Sequence, residues 1–152
     1  MLASGCVTQG TSETAVRAES NRQIILGSYL AFQRGDIETL MSLLDESVVW
    51  LVPGPPIIPF AGRFEGKEGV RRFFAAAIST LDVLEQKTFE SYAEGDRVIV
   101  TGYERMRVRS TGKVTTTRWM HAYRLRDGKI VSFEEFVDTA AQAAGFTPDG
   151  HG

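Results

Sequence analysis

The sequence predicts a single α+β domain, and three observations carry that reading. Helical periodicity lies almost entirely before Leu81, the stretch from Leu84 to Val137 alternates as strand, and the strands are separated by loops of hairpin length. Loops that short exclude parallel crossovers between neighbouring strands and predict an antiparallel meander. The length of 152 residues suits one domain, and a chain of this size buries about 69% of its extended surface without disulfide or metal. With 43% hydrophobic and 24% charged residues, wholesale disorder is excluded.

Residues 1–20 are polar and rich in Ser and Thr and read as a flexible N-terminal tail. Within them Ala3-Ser4-Gly5-Cys6 loosely resembles a bacterial lipoprotein cleavage box. The basic and apolar regions that precede such a box are missing, so the expectation is a cytoplasmic protein. A lipid anchor at Cys6 would require a start codon upstream. The domain is expected over residues 21–146, with a C-terminal tail over 147–152. Its first helix is expected to open at Ser20, where Ser20-x-x-Gln23 fits a capping box, with Ile25, Tyr29 and Phe32 on one face. Gly35 suits the position after a helix end, and Asp36 caps a second, shorter helix with Ile37, Leu40, Leu43 and Leu44 as its stripe.

Ser47 to Val52 is a β-branched run around Trp50 and reads as a strand. Pro53-Gly54-Pro55-Pro56 stops it, and the chain to Phe64 reads as loop. Glu65 to Leu81 has the best helical spacing, through Val70, Phe73, Phe74, Ala77, Ile78 and Leu81. Four strands follow, over Leu84–Ala93, Arg97–Arg109, Val114–Arg126 and Lys129–Val137. Asp138 is placed to cap a short terminal helix from Thr139 to Ala144.

Alternation assigns the strand faces. Val98, Val100, Gly102, Glu104, Met106 and Val108 share the inner face of one strand, so Glu104 is a carboxyl on an apolar surface, where a charge is costly without a partner. Trp119, His121, Tyr123 and Leu125 point inward from the next. A two-residue turn at Thr111-Gly112 would set Gly102 opposite His121 and make Glu104 a diagonal neighbour of that histidine. The last hairpin has two readings. A two-residue turn at Asp127-Gly128 pairs His121 with Glu134, whereas a three-residue loop Arg126-Asp127-Gly128 puts Val131, Phe133, Glu135 and Val137 on the face of His121. The second is preferred because it buries Phe133 and turns one carboxylate inward instead of two.

Composition narrows the function classes. Lys+Arg 17 against Asp+Glu 19 leaves no basic excess for nucleic acid. One cysteine, Cys6, excludes a disulfide framework, and with two histidines, one of them the terminal His151, a cysteine- or histidine-rich metal site is not expected. No apolar run approaches the ~18 residues of a membrane span. No cofactor and no metal are expected.

Phe32-Gln33-Arg34-Gly35-Asp36, Phe64-Glu65-Gly66 before the long helix, and His121-Ala122-Tyr123-Arg124-Leu125-Arg126-Asp127-Gly128-Lys129-Ile130-Val131 carry a resemblance that spans about Asn21 to Phe146. In this order they resemble the nuclear transport factor two-like superfamily, and within it the SnoaL-like polyketide cyclase and ketosteroid isomerase-like branch. The resemblance implies a cone-shaped, cystatin-like fold: a curved antiparallel sheet wrapped around a long helix, two N-terminal helices, and one deep, mostly apolar pocket. It also implies a homodimer formed through the open sheet face, where Tyr103, Met120 and Ala122 would lie. The isomerase branch carries a catalytic aspartate where this chain has Leu51, and its oxyanion tyrosine would fall at Ser28, beside Tyr29. A leucine moves no protons, so steroid isomerisation by that route is not expected. The cyclase branch matches better: a histidine facing a carboxylate seven residues after the hairpin glycine corresponds to His121 and Glu135.

Histidine titrates near neutrality and serves as acid or base. Paired with a carboxylate it can take a proton alpha to a carbonyl and return one to the resulting oxyanion. The catalytic candidates are therefore His121 and Glu135, and the pocket candidates are Tyr29, Trp50, Phe60, Glu104, Trp119, Phe133 and Asp138, in a pocket expected to be about 300–1,000 Å³. The expected function is a cofactor-independent cyclase, isomerase or related lyase acting on a small hydrophobic carbonyl or polyketide-like compound. Two other classes remain: a non-catalytic binding protein for an apolar ligand, and a dimerisation module. Structural readings stand beside each residue, with core packing for the aromatics, an internal ion pair for Glu104 and helix capping for Asp138.

Overall fold

A computed structural model describes the backbone of residues 8–150 and the side chains of residues 13–150. The Ala3-Ser4-Gly5-Cys6 segment and His151 lie outside the described residues. In chain order the elements are α1 (Thr8–Gln33), α2 (Ile37–Ser42), β1 (Leu44–Val52), β2 (Gly62–Glu65), α3 (Gly66–Thr80), β3 (Leu81–Glu94), β4 (Arg97–Val108), β5 (Val114–Arg126), β6 (Lys129–Val137) and α4 (Thr139–Phe146). The strands form one curved sheet in the order β2-β1-β6-β5-β4-β3, with helices on its inner face, as the α+β reading requires.

The helical part corrects one expectation. Ser20 is no cap, because α1 runs back to Thr8, so residues 8–20, assigned to a tail, are helical. The turn around Ser20 is held by side chains. Arg22 donates to both carboxylate oxygens of Glu19, each at 2.8 Å, and the Gln23 amide donates to the same group at 2.9 Å. Further along, Ile25 and Tyr29 are buried and Phe32 packs against the core, as the spacing predicts. Gly35 ends the helix with φ 71°, a conformation that glycine adopts without a Cβ clash. The Asp36 carboxylate then caps α2 by accepting the Thr39 N–H at 3.0 Å. In α3 the predicted stripe is inward except at Ile78, which is 48% exposed.

The sheet is mixed, not wholly antiparallel. β1 lies parallel to β6, with Trp50 beside Phe133. The short-loop argument holds for β3 to β6 but does not reach this pair, because the whole chain from β2 to β5 intervenes. A short edge strand, β2, also lies inside the segment read as loop and pairs with β1.

Two registers differ from expectation, and neither changes which side chains face inward. The β4–β5 connection is a four-residue loop over 109–112, closed by Val108 N–H to Lys113 O at 2.8 Å. Pairing therefore moves by two: His121 faces Val100, Gly102 faces Trp119, and Glu104 faces Thr117. A slip of two keeps every residue on its own face. At the last hairpin the turn has two residues, Asp127 (φ 51°) and Gly128 (φ 75°), both in the left-handed region that a tight hairpin favours. A bulge at Val131 follows, between the pairs Leu125–Ile130 and Arg124–Ser132. The extra residue shifts the ladder by one and leaves Phe133 buried and Glu135 opposite His121.

Gly102 is the point where β4 admits a neighbour. A Cβ there would collide with the Trp119 indole and with the Lys87 carbonyl oxygen across β3. The indole lies over the bare backbone and stays 3% exposed. Gly102→Ala is expected to displace Trp119 and to cost roughly 1–3 kcal/mol, read as a lowered denaturant midpoint together with altered tryptophan fluorescence.

Candidate functional site

The cavity lies between the inner face of the sheet and helices α1, α3 and α4. Aromatic rings make most of its wall, among them Trp50, Phe60, Phe73, Phe74, Tyr123 and Phe133. Its volume is about 110 Å³, smaller than the drug-sized pocket expected from the sequence. An engineered cavity of about 150 Å³ holds benzene, so the free space sets one small ring as the upper limit on an occupant.

At one end stands a chain of four polar side chains. His121 on β5 places Nε2 3.0 Å from Glu135 Oε2 on β6. Its Nδ1 is 2.7 Å from the Tyr29 hydroxyl on α1, which accepts from the Tyr123 hydroxyl at 2.8 Å. With a neutral ring, the proton order follows from this chain: Tyr123 donates to Tyr29, Tyr29 to Nδ1, and Nε2–H to the carboxylate. The Glu135 side chain is 12% exposed and that of His121 10%. Burial pushes both phenols well above their usual range, with the Tyr123 contact and the Glu135 charge adding to the effect at Tyr29. Both hydroxyls therefore stay protonated and available as donors.

Stacking holds the imidazole in plane. Trp119 lies 4.0 Å from it at an interplanar angle of 11°, and Phe133 meets it edge-on at 4.9 Å. Trp119 thus supports the histidine from behind and does not line the cavity, a correction to its assignment as a pocket residue.

Glu104 also lines the cavity but joins neither His121 nor Glu135 by a hydrogen bond, contrary to the expected diagonal pairing. The two-residue register change moved it to Thr117, whose hydroxyl reaches Glu104 Oε1 at 3.4 Å. The carboxyl is 8% exposed. Burial pushes its pKa up to about 8, and the charge of Glu135 pushes the same way, against hydrogen bonds from Thr117 and Gln142. At neutral pH Glu104 is mostly a neutral acid.

Tyr29, Trp50, Phe60, Glu104, His121, Phe133 and Glu135 all line the cavity. Asp138 does not. It is exposed, and its carboxylate accepts the Ala141 N–H at 2.9 Å as the cap of α4. Sequence reasoning read Tyr123 as inward but gave it no role, and it missed Gln86 and Gln142, which both line the cavity. Gln142 had a signal, as the lone amide in a helix of small and apolar residues (Thr-Ala-Ala-Gln-Ala-Ala-Gly-Phe). Gln86 had none, because register shifts on either side of it, between Val83 and Glu85 and between Thr88 and Ser91, break the alternation of β3.

With fold and site described, the family follows. The SnoaL-like domain family matches residues 26–133, and the chain belongs to it. Solved structures agree. An NTF2-like protein from Burkholderia xenovorans LB400 is 29% identical, covers 86% of this chain and 98% of its own, and superposes with a TM-score of 0.79. An NTF2-like protein from Burkholderia thailandensis E264 is 30% identical over 84% of this chain and 98% of its own, with a TM-score of 0.76. TerC, co-crystallised with polyporic acid, is 27% identical over 84% of this chain and 98% of its own, at a TM-score of 0.73. No curated protein matches. Among the described residues no helix is long and apolar enough to cross a membrane.

The raised Glu104 pKa has a signed consequence for stability. Between the unfolded value of 4.5 and about 8, the folded protein holds a proton that the unfolded chain has released. Stability is therefore full below the unfolded value and falls as pH rises through this window. Glu104→Gln should flatten this pH dependence, with a gain on the order of a few kcal/mol at the alkaline end, measured by denaturant unfolding across the range.

Proposed function

We propose that the protein is a cofactor-independent acid/base catalyst acting on a small hydrophobic carbonyl compound, in the manner of a cyclase, isomerase or related lyase. The observation that carries this reading is the Tyr123–Tyr29–His121–Glu135 chain, which ends at a carboxylate in an aromatic cavity. Both imidazole nitrogens are engaged by neighbours, so the free electron pairs at this end belong to Glu135. The carboxylate takes the proton alpha to the carbonyl, while Nε2–H steadies it and Tyr29 holds the ring tautomer. The electrons left on the substrate form an enolate, whose oxygen needs a donor. Trp50 lines the cavity, and its indole N–H has no hydrogen-bond partner among the described residues, which makes it the donor for that oxygen. TerC, co-crystallised with polyporic acid, supports a small organic ligand for this chain.

The same reading includes a homodimer through the outer sheet face. Ile99, Met120 and Phe136 sit there in neighbouring strands, 36%, 42% and 51% exposed, with Tyr103 and Ala122 half-buried beside them. Apolar side chains grouped on an exposed sheet face support association there.

Two measurements check these statements. With acetophenone in deuterated water, the protein should accelerate exchange of the methyl protons alpha to the carbonyl, followed by NMR, and Glu135→Gln and His121→Ala should each lose about 10²- to 10⁴-fold of that rate. Exchange at the native rate in both variants removes the assigned roles. For assembly, sedimentation should show a dimer that Met120→Glu converts to monomer; a monomeric native protein refutes the interface.

A further inference from the structure

The end of the cavity away from His121 is polar in a way that acid/base chemistry at Glu135 does not use. Gln86 on β3 is the cross-strand partner of Glu104 on β4, and Gln142 reaches them from α4. The placement of α4 is close and specific. Gly145 packs against Thr115 where a Cβ would clash, and its carbonyl accepts the Thr111 hydroxyl at 2.6 Å. Thr117 and His121 are four residues apart on the same face of β5, roughly 13 Å along the strand, and the Trp119 indole lies between them. The two polar stations are therefore separate.

The distant station has fewer hydrogen-bond donors than acceptors, since the one acid proton of neutral Glu104 stands against two amide oxygens. The side-chain oxygens of Gln86 and Gln142 are buried and have no partner among the described residues. Gln142, 6% exposed, lies beside Glu104 and helps to hold its pKa down, and its side-chain oxygen has no partner among the described residues. Buried acceptors without partners are costly, and few persist in folded proteins. Both belong to residues that line the cavity, so an occupant bringing one O–H group can satisfy one of them.

We propose that Gln86, Glu104 and Gln142 form a hydroxyl-binding subsite, so that the ligand is a compact ring carrying a hydroxyl at the end opposite the carbonyl presented to Glu135. This rests on the small-molecule reading above and narrows it to hydroxylated, single-ring ketones. An apolar substituent in the same place would leave both amide oxygens unpaired, whereas a hydroxyl donates to one and accepts from the neutral Glu104 acid.

The test compares 4-hydroxyacetophenone with 4-methylacetophenone, which has a methyl group in place of the hydroxyl, by titration calorimetry. In the native protein the hydroxyl compound should bind roughly ten- to a hundredfold more tightly. In Gln142→Met, which keeps the side-chain length, that preference should fall to near parity, with an unchanged circular dichroism spectrum showing that the variant is folded. Equal affinity for the two compounds in the native protein overturns the subsite and leaves the small-molecule reading standing. A preference that survives in both Gln142→Met and Gln86→Met likewise overturns it. If neither compound binds, the small-molecule reading fails and the subsite fails with it.

Discussion

An imidazole buried among aromatic rings has to give both nitrogens a partner, and much of the structure follows from how that is done. An unpaired polar group in such surroundings costs about as much as several good packing contacts gain. Here Nδ1 is met from the helical layer by Tyr29 and Nε2 from the neighbouring strand by Glu135. The first contact sets the rotation of α1 about its axis, since Ile25 and Tyr29 must face the sheet together. The second sets the register of β6 against β5. Tyr123, one inward position along β5, then has to pass its own hydrogen to Tyr29, because it is buried with nowhere else to put it. One satisfied heterocycle thus ties the first helix to the last two strands.

How much of this was readable in advance depended on parity. Alternation along β4 and β5 assigned Glu104, Trp119, His121 and Tyr123 to the inner face, and that assignment survives because the real loop at 109–112 slides the pairing by an even number of residues. The partners of those residues did not survive: Glu104 was matched to the wrong stretch of β5 and meets Thr117. At the last hairpin the inward position of Glu135 was inferred from the need to bury Phe133, through a three-residue loop. The chain uses a two-residue turn and a bulge at Val131 instead. Burial is a property of the whole sheet and is written into the residue pattern, whereas the device that delivers it is a local backbone choice with several equivalent solutions. The parallel pairing of β1 with β6 and the start of α1 at Thr8 had no comparable signature. The first depends on residues far apart in sequence, and the second on side-chain pairs such as Glu19–Arg22 within a polar stretch.

The two inward carboxyls differ because their neighbours differ. Glu135 has an imidazole N–H and lies where solvent still reaches a fraction of it. Among the described residues Glu104 has the neutral Thr117 and Gln142 beside it, and it feels the charge of Glu135 through a low-dielectric interior. Holding Glu104 neutral therefore depends in part on Glu135 being charged. The difference arises from two strands offering acids to one cavity at unequal distances from a histidine.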